Sequence, residues 1–174
     1  DDLLPINTFK SQFCNKPKDK ETTRRTYLCY KLKGPDLIEY HCIHYQYGCH
    51  AETHFIRKIE SMNLDPAKNY SITCYMTWSP CDRCARRLIS FMQANPHLRL
   101  TIYASRLYYH WLQLYILGLR HLQVSGVTMA VMTNTEFKYC WEEFVDNQGT
   151  SFTGWDKLEN YSHKIDNRLK KILQ

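Results

Sequence analysis

No apolar run in this chain approaches the ~18 residues that a membrane span requires. The longest apolar-rich stretch, WLQLYILGL at 111–119, is too short. No signal-peptide pattern opens the sequence, no internal repeat recurs and no low-complexity tract interrupts it. These absences set aside membrane-spanning, solenoid and disordered classes, and no membrane partner is expected. The chain opens on Asp1 rather than Met, which suggests a trimmed chain or a domain cut from something longer. The eight cysteines need not be a disulfide framework, because 174 residues can bury a sizeable core without one. Two of them, Cys81 and Cys84, form a tight pair. The expectation is a reducing compartment, the cytoplasm and also the nucleus, with cysteines used for metal rather than disulfides.

What is present suits one globular domain over residues 1–174. The hydrophobic fraction is 44% and the aromatic fraction 14%, with thirteen tyrosines and four tryptophans. The net charge is +6 and the pI about 8.9. Lys and Arg suit phosphates and aromatic faces suit bases, so the combination fits a nucleic-acid partner. Mild basicity alone also occurs in soluble proteins with no such partner.

Periodicity predicts a helix over LPINTFKSQF, then a polar loop holding Lys16, Lys18, Lys20, Arg24 and Arg25. TYLCYKL and IEYHCIHYQY read as strands joined by the turn GPDL. Helix and strand then alternate: HAETHFIRKIESM, NYSITCYMTW, CDRCARRLISFMQ, LRLTIYA, a helix to about Val124, and VTMAVM. EFKYCWEEFV and WDKLENYSHKIDNRLKKIL are helical. This is an α/β pattern. The first two strands should be antiparallel and the later ones parallel, giving a mixed sheet.

The stretch GCHAETHF poses the functional question. His50 and His54 are four apart and share a helix face, with Glu52 between them. If both bind one ion with two cysteines, the site is closed and structural. If only His50 does, one position stays open for water and Glu52 is free to move protons. SPCDRC places Cys81 and Cys84 at a helix start, where unpaired N–H groups favour thiolates. Alone, such a pair equally fits a redox motif or two buried cysteines. Together, H-x-E followed by P-C-x-x-C is the signature of zinc-dependent nucleobase deaminases, and the chemistry expected here is that class's own. A zinc-protease reading fails on spacing, since H-E-x-x-H needs Glu directly after the first His.

HAE with TWSPCDRC, then ASRLYYHW and CWEEFVD, resembles the AID/APOBEC polynucleotide cytidine deaminases over nearly the whole chain. The TWSPC threonine and the SRLYYHW loop are most similar to the H-type, single-domain branch of the antiviral APOBEC proteins. The resemblance implies a cytidine-deaminase-like α/β fold, a central mixed five-stranded sheet flanked by about six helices. It implies Zn2+ on His50, Cys81 and Cys84, Glu52 as the catalytic proton shuttle, and His54 outside the ligand set. It implies conversion of cytosine to uracil in single-stranded DNA and restriction of retroviruses and retroelements. Thr26, Trp78, Ser79, Tyr108 and Tyr109 match substrate-contacting positions. Segments corresponding to Arg24, Arg25, His110, Trp111, Arg168, Lys170 and Lys171 hold an RNA duplex between two subunits in H-type relatives. The resemblance therefore implies RNA as a second partner, at a surface distinct from the zinc pocket, and viral antagonist proteins as others.

Two departures stand out. Tyr45 occupies the place of an asparagine usual in the family, which bears on rate. The run after the tyrosine loop is unusually apolar; Leu112, Leu114, Tyr115, Ile116 and Leu117 cannot all face one core. Two rival readings remain. A free-nucleoside deaminase shares the zinc motif but needs no basic loop. A non-catalytic, zinc-stabilised RNA-binding module is compatible with Tyr45.

Overall fold

The computed structural model describes residues 3–17, 24–44 and 46–174. Lys18, Lys20 and Tyr45, which figure in the expectations above, lie outside the described residues. A two-residue strand, Leu4–Pro5 (β1), leads into a short helix, Ile6–Gln12 (α1). Then come strands Leu28–Lys33 (β2) and Ile38–Ile43 (β3), helix Ala51–Ser61 (α2), strand Tyr70–Trp78 (β4) and helix Asp82–Ala94 (α3). Strand Leu98–Arg106 (β5), helix Gln113–Val124 (α4), strand Thr128–Val131 (β6) and helix Asn134–Phe144 (α5) follow. The chain ends with Val145–Asp146 (β7) and helix Leu158–Leu173 (α6).

The main sheet has five strands in the order β3-β2-β4-β5-β6. β2 pairs antiparallel with both β3 and β4; the Gly34–Leu37 turn reverses the chain between β2 and β3, closed by Gly34 N–H donating to Leu37 C=O at 2.8 Å. β4, β5 and β6 are parallel, since α3 and α4 supply the crossovers that parallel neighbours require. The mixed five-stranded sheet and, among the described residues, six helices match the expected architecture.

Both faces of the sheet are covered, and strand alternation sorts residues between them. Leu28, Tyr30 and Leu32 of β2, with Ile72, Cys74 and Met76 of β4, pack in one cluster with Phe55 of α2, Leu88 of α3, Leu122 of α4 and Leu169 of α6. Cys29 and Tyr75 face the opposite cluster, where α1 supplies Phe9 and α5 supplies Phe137, Trp141 and Phe144. The sheet is thus a rigid plate on which α2 and α3 sit side by side.

Two local expectations are corrected. The predicted opening helix begins later, because Leu4 and Pro5 pair in parallel with Val145 and Asp146. The expectation of metal use without disulfides is also too broad. Cys29 and Cys42 stand directly opposite in the β2–β3 register, 4.1 Å apart between Cα atoms, and are joined as a disulfide.

Candidate active site

α2 and α3 begin with unusual residues. α5 carries a capping box in which the Thr133 N–H donates to Glu136 Oε1 at 2.8 Å. By contrast, α2 is capped by His50, whose side chain makes no capping bond, and α3 by Cys81. Cys81 Sγ accepts weakly from the Cys84 N–H at 3.5 Å. Both caps have extended backbone, so each aims its side chain off the helix end rather than along its flank. The two ends meet. His50 Nδ1 lies 3.2 Å from Cys84 Sγ and 3.7 Å from Cys81 Sγ, and the three ligand atoms fall within 4.8 Å of one another. One imidazole and two thiols in this arrangement can hold one metal ion. The thiol of Cys84 hydrogen-bonds Cys81, which is lowered to about 5; Cys84 itself is pushed up and keeps the proton. The Cys84 thiol first, and the backbone N–H groups of the helix start after it, thus favour the thiolate at Cys81.

His54 is not part of the trio. Its ring is half-buried with Nε2 enclosed and unpartnered, as expected of a residue outside the ligand set.

Glu52 occupies the first turn of α2, 3% exposed, and its Oε1 has no hydrogen-bond partner. Burial pushes its carboxyl up to about 7, with a lesser push from Cys81 and opposing pulls from the backbone and His50. An unpartnered buried oxygen beside a ligand trio is an acceptor placed for a polar group bound there. The donor set and this oxygen therefore fit a bound metal with a reacting group beside it.

The cleft over this site has a volume of about 220 Å³. Glu52, His50 and Cys81 form its base, and Thr26, Trp78, Ser79 and Tyr108 its walls, so four of the five expected substrate residues converge on it. Tyr109 does not line it but packs on Tyr108 with ring centres 4.5 Å apart. The walls are tied to the sheet. Ser79 Oγ accepts from the Tyr108 N–H at 2.7 Å. Thr77 Oγ1 accepts from the Tyr27 N–H at 2.9 Å and donates to the Arg25 C=O at 2.7 Å, which fixes the Thr26 segment. Sequence reasoning missed Arg106. Its guanidinium lies 4.1 Å from the Trp78 ring centre and donates through Nη1 to the carbonyls of Gln12 and Cys14 at 2.6 and 2.8 Å. Burial lowers it to about 9, with Arg24 adding to the effect.

A second cleft of about 750 Å³ adjoins the first. It gathers Arg24, His110, Trp111 and Arg168, and Arg168 donates to the His110 carbonyl at 2.7 Å. Arg24 also lines the catalytic cleft, as do Trp78 and Tyr108, and Arg25 lines only the catalytic one. The two clefts share a wall at Arg24, Trp78 and Tyr108. Lys170 and Lys171 do not line the second cleft, and Lys170 pairs with Asp166 at 2.9 Å. Tyr161 and Lys164, which sequence reasoning passed over, do line it, being seven and four residues before Arg168 on the same helix face. Trp111 is 62% exposed and Leu114 61%, so the apolar run leaves part of itself in solvent.

The metal-capable trio, the enclosed carboxylate and the aromatic-walled cleft on a mixed sheet together describe a nucleobase deaminase centre. Residues 2–173 match the family described as APOBEC3, cytosine deaminase domain, and the chain belongs to that family. It is 50% identical over 152 residues to the DNA dC->dU-editing enzyme APOBEC-3H of Felis catus, spanning 86% of this chain and 79% of that protein. To the Homo sapiens protein of the same name it is 42% identical over 178 residues, spanning 98% and 89%. To the DNA dC->dU-editing enzyme APOBEC-3G of Papio anubis it is 36% identical over 192 residues, spanning 99% of this chain and 48% of that one.

Proposed function

We infer that this chain hydrolyses cytosine to uracil in single-stranded DNA, with zinc on His50, Cys81 and Cys84. The observation that carries the reading is Glu52, enclosed beside the trio with its Oε1 unpartnered. Zinc bound there supplies activation of a water at neutral pH. The residues of the chain do the rest. Water adds at C4 of the base and the exocyclic amine leaves as ammonia. Glu52 takes a proton from the water, gives one to N3, and carries another to the departing amine. A carboxyl whose affinity for protons sits near neutrality suits both directions of transfer. Trp78 and Tyr108, ring centres 5.6 Å apart and edge to face, offer a slot for a base taken out of its stack. Arg24 and Arg25 at the rim favour a polynucleotide over a free nucleoside.

The deciding assay compares a cytosine-containing oligonucleotide with free cytidine under single-turnover conditions. Uracil formed in the oligonucleotide supports the reading. Turnover of cytidine alone would favour the nucleoside enzyme, and turnover of neither the RNA-binding module.

The second cleft supports RNA as a further partner, with a duplex bridging two copies of the chain. Its exposed Trp111 beside Arg24, Lys164 and Arg168 combines stacking surface with phosphate-pairing charge. Purified protein should then carry nuclease-sensitive nucleic acid. A monomer free of nucleic acid, prepared without nuclease, would sink that part. Restriction of retroviruses and retroelements, sensitivity to viral antagonists, and a cytoplasmic and nuclear location follow as the biological proposal.

A further inference from the structure

A third concavity, of about 670 Å³, runs between α2 and α3 on the solvent side of the helices, outside both clefts described above. Its floor is apolar, from Ile56 and the buried Phe91. Its walls carry Arg57 from α2 and Arg83, Arg86 and Arg87 from α3, against a single acid, Glu60. Exposed arginines on helices usually form a solvated face. Here they surround one groove, and little of their charge is spent within the protein. Arg86 makes an exposed pair with Asp82 at 3.7 Å, of a kind that contributes little. Among the described residues no ion pair is recorded for Arg57 or Arg83. Arg87 Nη1 donates to Thr53 Oγ1 at 2.7 Å, which fixes one guanidinium across the groove.

The position of the groove selects its ligand. Thr53 is three residues past His50, and Arg83 two past Cys81, so one end opens about one helical turn from the metal trio. From there the Arg83–Ala94 side extends about 16 Å away from it. The N-terminal ends of both helices add partial positive charge at the near end.

We propose that this groove is a phosphate-binding track for the single strand whose cytosine occupies the catalytic cleft, engaging the backbone on one side of the target base. The proposal rests on the function inferred above. An acidic peptide would match the arginines, but only a strand already held at the site gains from a groove that begins there.

Two exposed residues away from the metal trio, Arg57 and Arg86, are replaced together as Arg57→Ser and Arg86→Ser. Binding is measured for a short oligonucleotide of about 5 nucleotides, and for oligonucleotides carrying about 15 further nucleotides on one side or the other of the cytosine. One of the two extensions should tighten binding to the unmodified protein several-fold at low salt. The double variant should lose that gain, and its slope of log affinity against log salt should shrink by about 1.4, at about 0.7 for each single-strand phosphate contact. Deamination of the short oligonucleotide should be unchanged. A variant that keeps both the gain and the slope overturns the track, as does equal weakening on the short oligonucleotide, or the absence of any gain from either extension. Tight binding of a poly-glutamate peptide in the groove, without a strand-length gain, would assign it to a protein partner and overturn the track as well. Failure of the unmodified protein to deaminate the short oligonucleotide defeats the inferred function instead, while the binding measurements still decide the groove.

Discussion

Glu52 is enclosed from solvent, with Oε1 unpartnered and the carboxyl hydrogen-bonded to the Cys84 thiol and the backbone, so an isosteric replacement should affect proton transfer most. Glu52→Gln keeps the shape and leaves the ligand trio intact. Metal content and affinity for single strands should persist while turnover falls by about two to four orders of magnitude, read by oligonucleotide deamination and metal analysis. His54→Ala should alter neither. Arg106 presents the opposite case, a charge that does no chemistry but backs the Trp78 wall of the cleft. Arg106→Ala uncovers one face of Trp78 and leaves the Gln12 and Cys14 carbonyls without their donor. We expect a loss of about 3 kcal/mol in urea denaturation. His50, Glu52, Cys81 and Cys84 were legible in the sequence because metal chemistry dictates residue types at short spacings. Arg106 was not, since an arginine at the end of a strand reads as a surface residue until a neighbouring loop is seen folded over it.

At the scale of the element, helix phase decides what a run of basic residues can do. Tyr161, Lys164 and Arg168 of α6 share the face that lines the second cleft, whereas Lys170 and Lys171 are turned away from it. Lys164→Ala should reduce RNA affinity and flatten its salt slope by about 0.9, and Lys170→Ala with Lys171→Ala should change the slope less, measured by filter binding across a salt series. The sequence showed that the helix was basic near its end, but the face it presents is set by packing of Leu158, Leu169 and Ile172, which periodicity does not orient against a distant loop. The β1–β7 pair escaped notice for a related reason. Two-residue strands joining opposite ends of the chain have no periodic signature. Cys29 and Cys42 became neighbours only through the β2–β3 register, which a turn residue or two can shift. The long strands β4 and β5, by contrast, announced themselves through their β-branched and aromatic content.

At the scale of the molecule, the metal trio joins the starts of two helices that otherwise meet through side chains along their length. His50→Ala or Cys81→Ala should therefore lose the metal and destabilise the whole domain, not just silence it. A loss of about 4 kcal/mol would lower Tm by about 8–16 °C in a calorimetric scan. Chelation of the unmodified protein should produce the same shift. The same geometry also bears on how such a protein can change over time. Because α2 and α3 are anchored at their first residues, the ends at Ser61 and Ala94 lie a helix length, about 15–18 Å, from the chemistry. Extra or missing residues in the connections that follow, 62–69 and 95–97, alter where those helices stop without displacing where they start. Length variation and new surface features can accumulate there while the reaction centre inherits none of the disturbance.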